Sequence, residues 1–353
     1  MIARLRAFAS RRPRATRIAL FTLIICGALF ATDRIFPPDM SRVANLSPEV
    51  DDRHGTLLRP FLSKDGYWRL KTDLRDVNPR YLVLLKAYED KRFDAHWGVD
   101  PLAMLRAAFQ FAHAGHVVSG GSTLTMQAAR LLGPRPRGFA TKLIQMVRAA
   151  QLEERYSKDQ ILSVYLTLAP FGGNLEGVRA ASLAYFGKPP QALDLSEAAL
   201  LVALPQSPAR LRPDRHGLAA IAGRNKVLAR MVAESVITPG DAAVARREGV
   251  PTLRLAMPLA APHLAQHIVH DHPHAVQLRT TIDAVLQAAV ERMAERERAY
   301  LEDGGSLAIV VVENRDRSVR AYVGGTDYWG RSGQIDLAQR PRSPGSALKP
   351  FIY

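Results

Sequence analysis

Glu89-Asp90-Lys91-Arg92-Phe93-Asp94-Ala95-His96-Trp97-Gly98 sets acids, a histidine and two aromatics at the end of an apolar run, then turns at a glycine. Upstream, Tyr81, Leu82, Val83, Leu84, Leu85 and Ala87 predict a helix packed into a core, with Glu89 and Asp90 at its C-terminal end. Peptide dipoles give that end partial negative charge, so consecutive carboxylates are disfavoured there and ask for a functional reason. A solvated helix end is the plainer alternative.

Further on, Gly120-Gly121-Ser122-Thr123-Leu124-Thr125-Met126-Gln127 releases the backbone at paired glycines. It offers Ser122 or Thr123 as the cap of a helix running through Ala128, Ala129 and Leu131. A capped helix start behind glycines presents N–H groups to an anion. Alone, such a turn reads as an ordinary capped helix. Together the two stretches resemble the first two motifs of the peptidoglycan glycosyltransferases, the polymerising domains of bifunctional class A penicillin-binding proteins, which join lipid-linked disaccharides into glycan strands. Glu89, Asp90, Phe93, His96 and Gly98 stand where the first motif places them, and Gly120 to Thr125 with Gln127 match the second. The resemblance implies Glu89 as general base. It also implies Asp90, Phe93, His96, Ser122, Thr123 and Gln127 as substrate-binding residues.

The chain has 353 residues, room for two domains, and a net charge of +15 that calls for anionic partners. Nucleic acid and an anionic membrane both answer to that charge, and the resemblance selects the membrane. Arg4, Arg6, Arg11, Arg12, Arg14 and Arg17 precede an apolar run from Ile18 to Ala31, an order that predicts a cytoplasmic N-terminus. The run is short for a spanning helix, but extension through Thr32 to Phe36, with Arg17 and Arg34 snorkelling, lengthens it sufficiently. No small-x-small site closes it cleanly, which favours an uncleaved anchor over a signal peptide. Cys26, the only cysteine, lies inside the run, where bulky Ile25 before it favours an apolar filler over a lipid attachment site. The thiol-free remainder suits an oxidising space outside the membrane.

The expected organisation is a basic cytoplasmic segment (1–17), a single-pass anchor in the bacterial cytoplasmic membrane (18–36), an irregular juxtamembrane segment (37–59) and a glycosyltransferase domain (60–250). A linker (251–304) and the start of a transpeptidase domain (305–353) follow. A short strand is expected around Tyr67-Trp68-Arg69-Leu70. Pro101 to Phe109 opens with proline at a helix start, and its bulky apolar stripe is interrupted by Arg106. The resemblance makes Arg106 a phosphate contact rather than a snorkelling surface residue. Arg130, on the helix of the second motif, is assigned likewise.

The helix from Thr141 to Glu153 aligns with the third motif, where a lysine is followed three residues later by a second glutamate. Lys142 is present, but Gln145 replaces the glutamate. A neutral amide is a weaker ligand for a divalent cation than a carboxylate and does not repel a diphosphate. Glutamine here suits the subgroup called penicillin-binding protein 1C. Ser157 to Leu166, Ala169-Pro170-Phe171-Gly172-Gly173 and Gly177 to Lys188 match the fourth motif, with Thr167 replacing a common asparagine. Leu195 to Leu201, read as an apolar helix capped at Ser196, corresponds to the fifth together with Pro205-Gln206-Ser207-Pro208.

His263, His267, His270, His272 and His274 crowd the linker at spacings that put two imidazoles on one helix face, the beginning of a zinc site. No cysteine or obviously placed acid joins them, so a solvated linker helix is the reading preferred and no metal ligand is assigned. A further helix is expected from Ile282 to Tyr300. Leu307 to Val312 and Val319 to Val323 then read as a hairpin opening a second domain. Ser346-Ala347-Leu348-Lys349 resembles the transpeptidase nucleophile motif, implying Ser346 as acyl nucleophile and Lys349 as its base. The companion Ser-x-Asn and Lys-Thr-Gly elements are not in this sequence, so it is read as a fragment or truncated product from which neither acyl transfer nor β-lactam labelling is expected.

The overall expectation is a mainly α, lysozyme-like glycosyltransferase domain after a transmembrane helix, followed by a linker and the first β-strands of an incomplete transpeptidase domain. By resemblance it polymerises lipid II onto a growing glycan strand at the membrane. β-Lactams would bind only a longer form, and other cell-wall synthesis proteins are compatible partners. No cofactor is required, although Mg²⁺ or another divalent cation is compatible. A muramidase-like hydrolase, which needs two carboxylates across the scissile bond, finds no suitable partner at Gln145. A non-catalytic anchored scaffold fits Gln145 better.

Overall fold

The computed structural model describes residues 34–115, 121–134, 138–301, 305–341, 343 and 349–352, with Phe21 and Gly27. The basic segment, nearly all of the expected anchor, and Ser346 lie outside them. Among the described residues no helix is long and apolar enough to cross a membrane.

The protein is mainly helical. Among the described residues its longer helices are α1 (Pro79–Glu89), α2 (Pro101–Ala114), α3 (Leu124–Leu132), α4 (Phe139–Arg155), α5 (Lys158–Leu168), α6 (Val178–Phe186), α7 (Leu195–Ala203), α8 (Gly217–Ala233), α9 (Pro239–Arg247), α10 (Pro262–Asp271) and α11 (Ala284–Arg298). The strands are β1 (Glu49–Asp51), β2 (Leu57–Pro60), β3 (Trp68–Arg69), β4 (Pro170–Gly172), β5 (Leu175–Glu176), β6 (Gln277–Arg279), β7 (Ile309–Val312) and β8 (Val319–Val323). They form the sheets β2-β1-β6, β3-β5-β4 and β7-β8. The chain divides into two compact units, one of Arg92–Leu162 with the chain up to Arg42, the other of Val43–Lys91 with Ser163–Tyr353. The division falls inside the first motif, between Lys91 and Arg92.

In the unit containing Arg92–Leu162, α3 packs against α4. It buries Leu124, Met126, Ala128, Leu131 and Leu132, an apolar stripe at helical spacing. Gly98 backs onto α4. Its φ is +78°, and a Cβ there would stand 2.8 Å from the carbonyl carbon and oxygen of Ala149. Only glycine meets both demands. Gly98→Ala is therefore expected to destabilise this unit by about 1–3 kcal/mol, and an unchanged melting temperature would contradict the close approach.

In the other unit α7 is central. Every residue of it except Glu197 is buried, and it packs against α1, α6, α8 and α9. Its cap differs from the expected Ser196. Asp194 accepts from the Glu197 N–H at 2.9 Å, and Glu197 reaches back to the Asp194 N–H at 2.9 Å. That reciprocal box places the start of the helix two residues earlier. Ser196 is instead buried and accepts from Arg224 at 3.1 Å.

The segments read as irregular juxtamembrane chain and solvated linker are both ordered, and they meet. β1 pairs antiparallel with β2 and parallel with β6, Val50 lying opposite both Arg59 and Leu278. Val50, Leu58, Ala265, Ile282 and Tyr322 form one buried cluster over this sheet. Three-residue strands carry too little alternation to be read locally, and their pairing is long-range. The hairpin β7-β8 also acquires a floor. Val290 and Ala294 of α11 pack beneath Ala321 and Val323. Gln287, fully buried, donates to Tyr322 O at 2.9 Å and accepts from Tyr322 N at 2.7 Å, so a side-chain amide stands in for a strand. His263 is correspondingly not solvated: it is buried on α10, and its Nε2 lies 2.8 Å from Gly333 O. His267 faces Asp336 at 3.4 Å and Gln339 at 2.8 Å. Among the described residues no cluster of His, Cys, Asp and Glu has the arrangement of a metal site.

Candidate active site

In the unit containing Val43–Lys91, α1 starts on Asn78, whose side chain accepts from Arg80 N at 2.9 Å, with Pro79 at the first helical position. Tyr81, Leu84, Leu85 and Tyr88 bury one face of the helix. Glu89 is its last residue, and Asp90 caps the end by donating its own N–H to Lys86 O at 2.8 Å. The expected C-terminal carboxylates are thus found, Glu89 half-buried and Asp90 buried. Glu89 Oε1 accepts a hydrogen bond from Gln206 Nε2 at 2.9 Å. Burial and the Glu89 charge push the Tyr81 phenol well above its ordinary value. The same two causes raise Tyr88, against a pull from Arg230 and from Gln206. Arg230 lies 5.0 Å over the Tyr88 ring.

The other unit carries the remaining motif residues. Phe93, expected at the substrate, is 1% exposed and lies under Lys158, whose Nζ is 4.6 Å from the ring centroid. It supports the turn instead of facing outward. Lys158 also donates to His96 O at 2.6 Å and to Glu153 Oε1 at 2.7 Å, while Thr125 donates to the same carboxylate oxygen at 2.6 Å. One glutamate and one lysine thereby tie the first motif to α3, α4 and α5. Thr123 is the cap of α3, accepting from Met126 N at 3.1 Å, and its hydroxyl donates to Gly98 O at 2.6 Å. Being buried, it locks the two motifs together.

Ser122, freed from capping, accepts a hydrogen bond from the Lys142 ammonium. Burial and the nearby charge of Arg130 hold Lys142 below its ordinary value. Lys142 and Ser122 thus meet beside the glycine-led start of α3, the kind of helix start from which the sequence led us to expect anion binding. Gln127 is half-buried on α3, and Arg130 is exposed in its last turn. Gln145 lines a cavity of about 160 Å³ with Thr141, Arg148, Ala129 and Leu132. Arg106 is exposed on α2, on the same face as exposed Leu102, Leu105 and Phe109, and no hydrogen bond or ion pair joins it to Ser122 or Lys142 among the described residues.

A transglycosylase family model matches residues 54–232, just over half of the chain. The chain belongs to the transglycosylase family. Penicillin-binding protein 1C of Escherichia coli (strain K12) is 44% identical over 328 residues, 92% of this chain and 42% of that protein. Penicillin-binding protein 1A of Aquifex aeolicus is 43% identical over 166 residues, 46% of this chain and 23% of the relative. Penicillin-binding protein 1A of Escherichia coli (strain K12) is 30% identical over 290 residues, 76% and 34% respectively. The chain spans less than half the length of these relatives.

The matched span of this transglycosylase contains Glu89, both leading motifs, Lys142, Gln145 and Gln206. Gln206, Glu153 and Lys158 escaped the sequence reading as site residues. The Pro-Gln-Ser-Pro turn was legible as a motif, but nothing local announces a partner 117 residues away. Thr167, a departure from the usual asparagine, accepts from Thr72 N at 3.1 Å within a buried join. Lys349 lies exposed in a single helical turn, Lys349–Ile352, and Ser346 lies outside the described residues.

Proposed function

We propose that this transglycosylase polymerises lipid-linked disaccharide-peptide, lipid II, into peptidoglycan glycan strands at the outer face of the bacterial cytoplasmic membrane. The observation carrying the proposal is the family match across residues 54–232, which spans both leading motifs. In this reading Glu89 takes the proton from the acceptor's 4-hydroxyl as that oxygen attacks the donor's anomeric carbon. The bond from that carbon to the lipid diphosphate breaks, and the diphosphate leaves with the electron pair. Lys142, Ser122 and Arg130 stabilise its charge, a reading supported by the Lys142–Ser122 hydrogen bond beside the start of α3 and by the charge of Arg130 acting on Lys142. The anchor expected over residues 18–36 would hold the enzyme beside its lipid-linked donor.

A divalent cation would take oxygen ligands, preferably carboxylates. The residues proposed around the diphosphate are cationic or neutral (Lys142, Arg130, Ser122, Gln145), a set that does not hold such an ion by itself, and no step is assigned to one. Gln145→Glu is expected to create a dependence on divalent cation concentration by adding a hard oxygen donor. An unaltered metal titration would remove the significance attached to this position. Gln145 also supports a second reading, a non-catalytic anchored scaffold. Incubating the purified chain with lipid II and resolving products by length on a gel tests both, since glycan ladders support polymerisation and unchanged precursor supports the scaffold.

A further inference from the structure

We infer that Gln206 is a positioning residue for the Glu89 carboxylate, an inference that rests on the polymerase reading above. Its Nε2 donates to Glu89 Oε1 at 2.9 Å, and both ends of the contact have fixed mounts. Glu89 closes α1, whose buried face is locked into the core. Gln206 ends a 3₁₀ turn, Leu204–Gln206, that continues directly from α7. Leu204 and Pro205 are buried in that turn, the proline ring restricts φ, and Ser207 N donates to Leu204 O at 3.1 Å. The Gln206 side chain itself is exposed, so its reach is set by this backbone rather than by packing.

A general base works when its lone pairs point along the proton's path. A donor on one carboxylate oxygen fixes the plane of the group and with it the direction of the other oxygen. A neutral amide does this without the full positive charge that would make the carboxylate a weaker base. The neighbouring charges are arranged compatibly. Tyr81 and Tyr88 of α1 face Glu89 with raised phenols. From α8, Arg230 lies over Tyr88 but pairs with Glu234 at 3.2 Å, and Glu234 also engages Lys91.

The test compares wild type, Gln206→Ala, Gln206→Glu and Glu89→Gln in the full chain, measuring kcat and KM on lipid II across pH. Gln206→Ala is expected to lower kcat about tenfold with KM little changed, as lost orientation does. Gln206→Glu sets a second carboxylate against the first, so one of the pair keeps its proton to higher pH. The acid limb of its kcat profile should move up by about one unit or more, with activity returning at alkaline pH. A merely structural role would lower the melting temperature without moving that limb. Wild-type kcat and an unmoved limb in both Gln206 variants, beside an inert Glu89→Gln, would overturn the inference and leave the role of Glu89 intact. A Glu89→Gln enzyme as active as wild type would instead overturn the polymerase reading of Glu89, and this inference with it.

Discussion

Glu89→Gln is expected to abolish glycan polymerisation without unfolding the protein. The substitution is isosteric, and the new amide oxygen can still accept from Gln206, whose Nε2 lies 2.9 Å from Oε1. The buried face of α1, from Tyr81 to Tyr88, is untouched. What disappears is the capacity to take a proton, and general-base catalysis is worth about 10²–10⁴-fold. Gel-resolved products from lipid II, with circular dichroism to confirm the helices, make the comparison, and retention of even about a tenth of the wild-type rate would refute this role. Asp90→Asn should cost less, because it leaves in place the backbone N–H through which Asp90 caps α1.

The parts of this protein that were legible in its sequence are those whose signals are local. Helix α1 announced itself by its apolar residues and ended at Glu89, where two carboxylates oppose the helix dipole. The glycine-led start of α3 was equally legible, and of the two caps it offered, Ser122 or Thr123, the fold uses Thr123. Leaving Ser122 outside the capping bond has a consequence, since its hydroxyl is then the one that meets Lys142. What remained hidden was set by contacts between distant parts of the chain. β1, β2 and β6 are too short to carry a period, and their identity as a sheet rests on Val50 meeting both Arg59 and Leu278. Of the linker histidines, His270, His272 and His274 are exposed as expected, whereas His263 and His267 looked solvated only because their composition was read without the loop that contains Gly333 and Asp336. Gln206 belonged to a recognised turn, yet its role depends on where α7 delivers that turn relative to the end of α1.

Arg69 shows the same limit at its most consequential. In the sequence it belongs to a short stretch, Tyr67-Trp68-Arg69-Leu70, from which only a strand could be expected. In the fold its side chain has no solvent exposure, and its Cα is registered with Glu176 across the parallel pair β3-β5. Nε donates to Glu176 Oε2 at 2.6 Å, one terminal nitrogen donates to Asn45 O at 2.6 Å, and the other donates to Asp65 Oδ2 at 2.9 Å. The guanidinium thus joins the chain entering α1 to the turn after α5. That turn runs on to Gly177, where a Cβ would stand 2.6 Å from Thr167 O, so the backbone has little room to adjust. Arg69→Ala would leave the Glu176 carboxylate, itself only 8% exposed at the side chain, without its cation. Breaking one partner of a buried pair costs about 3–5 kcal/mol, far more than the pair's net worth. Thermal unfolding of the variant should therefore fall by roughly 10 °C, at about 2–4 °C per kcal/mol for a unit of this size. The double variant Arg69→Met with Glu176→Leu removes both charges and should recover most of that loss. An Arg69→Ala protein that melts with wild type, or a double variant no better than the single, would show that the buried charge is not what secures this join.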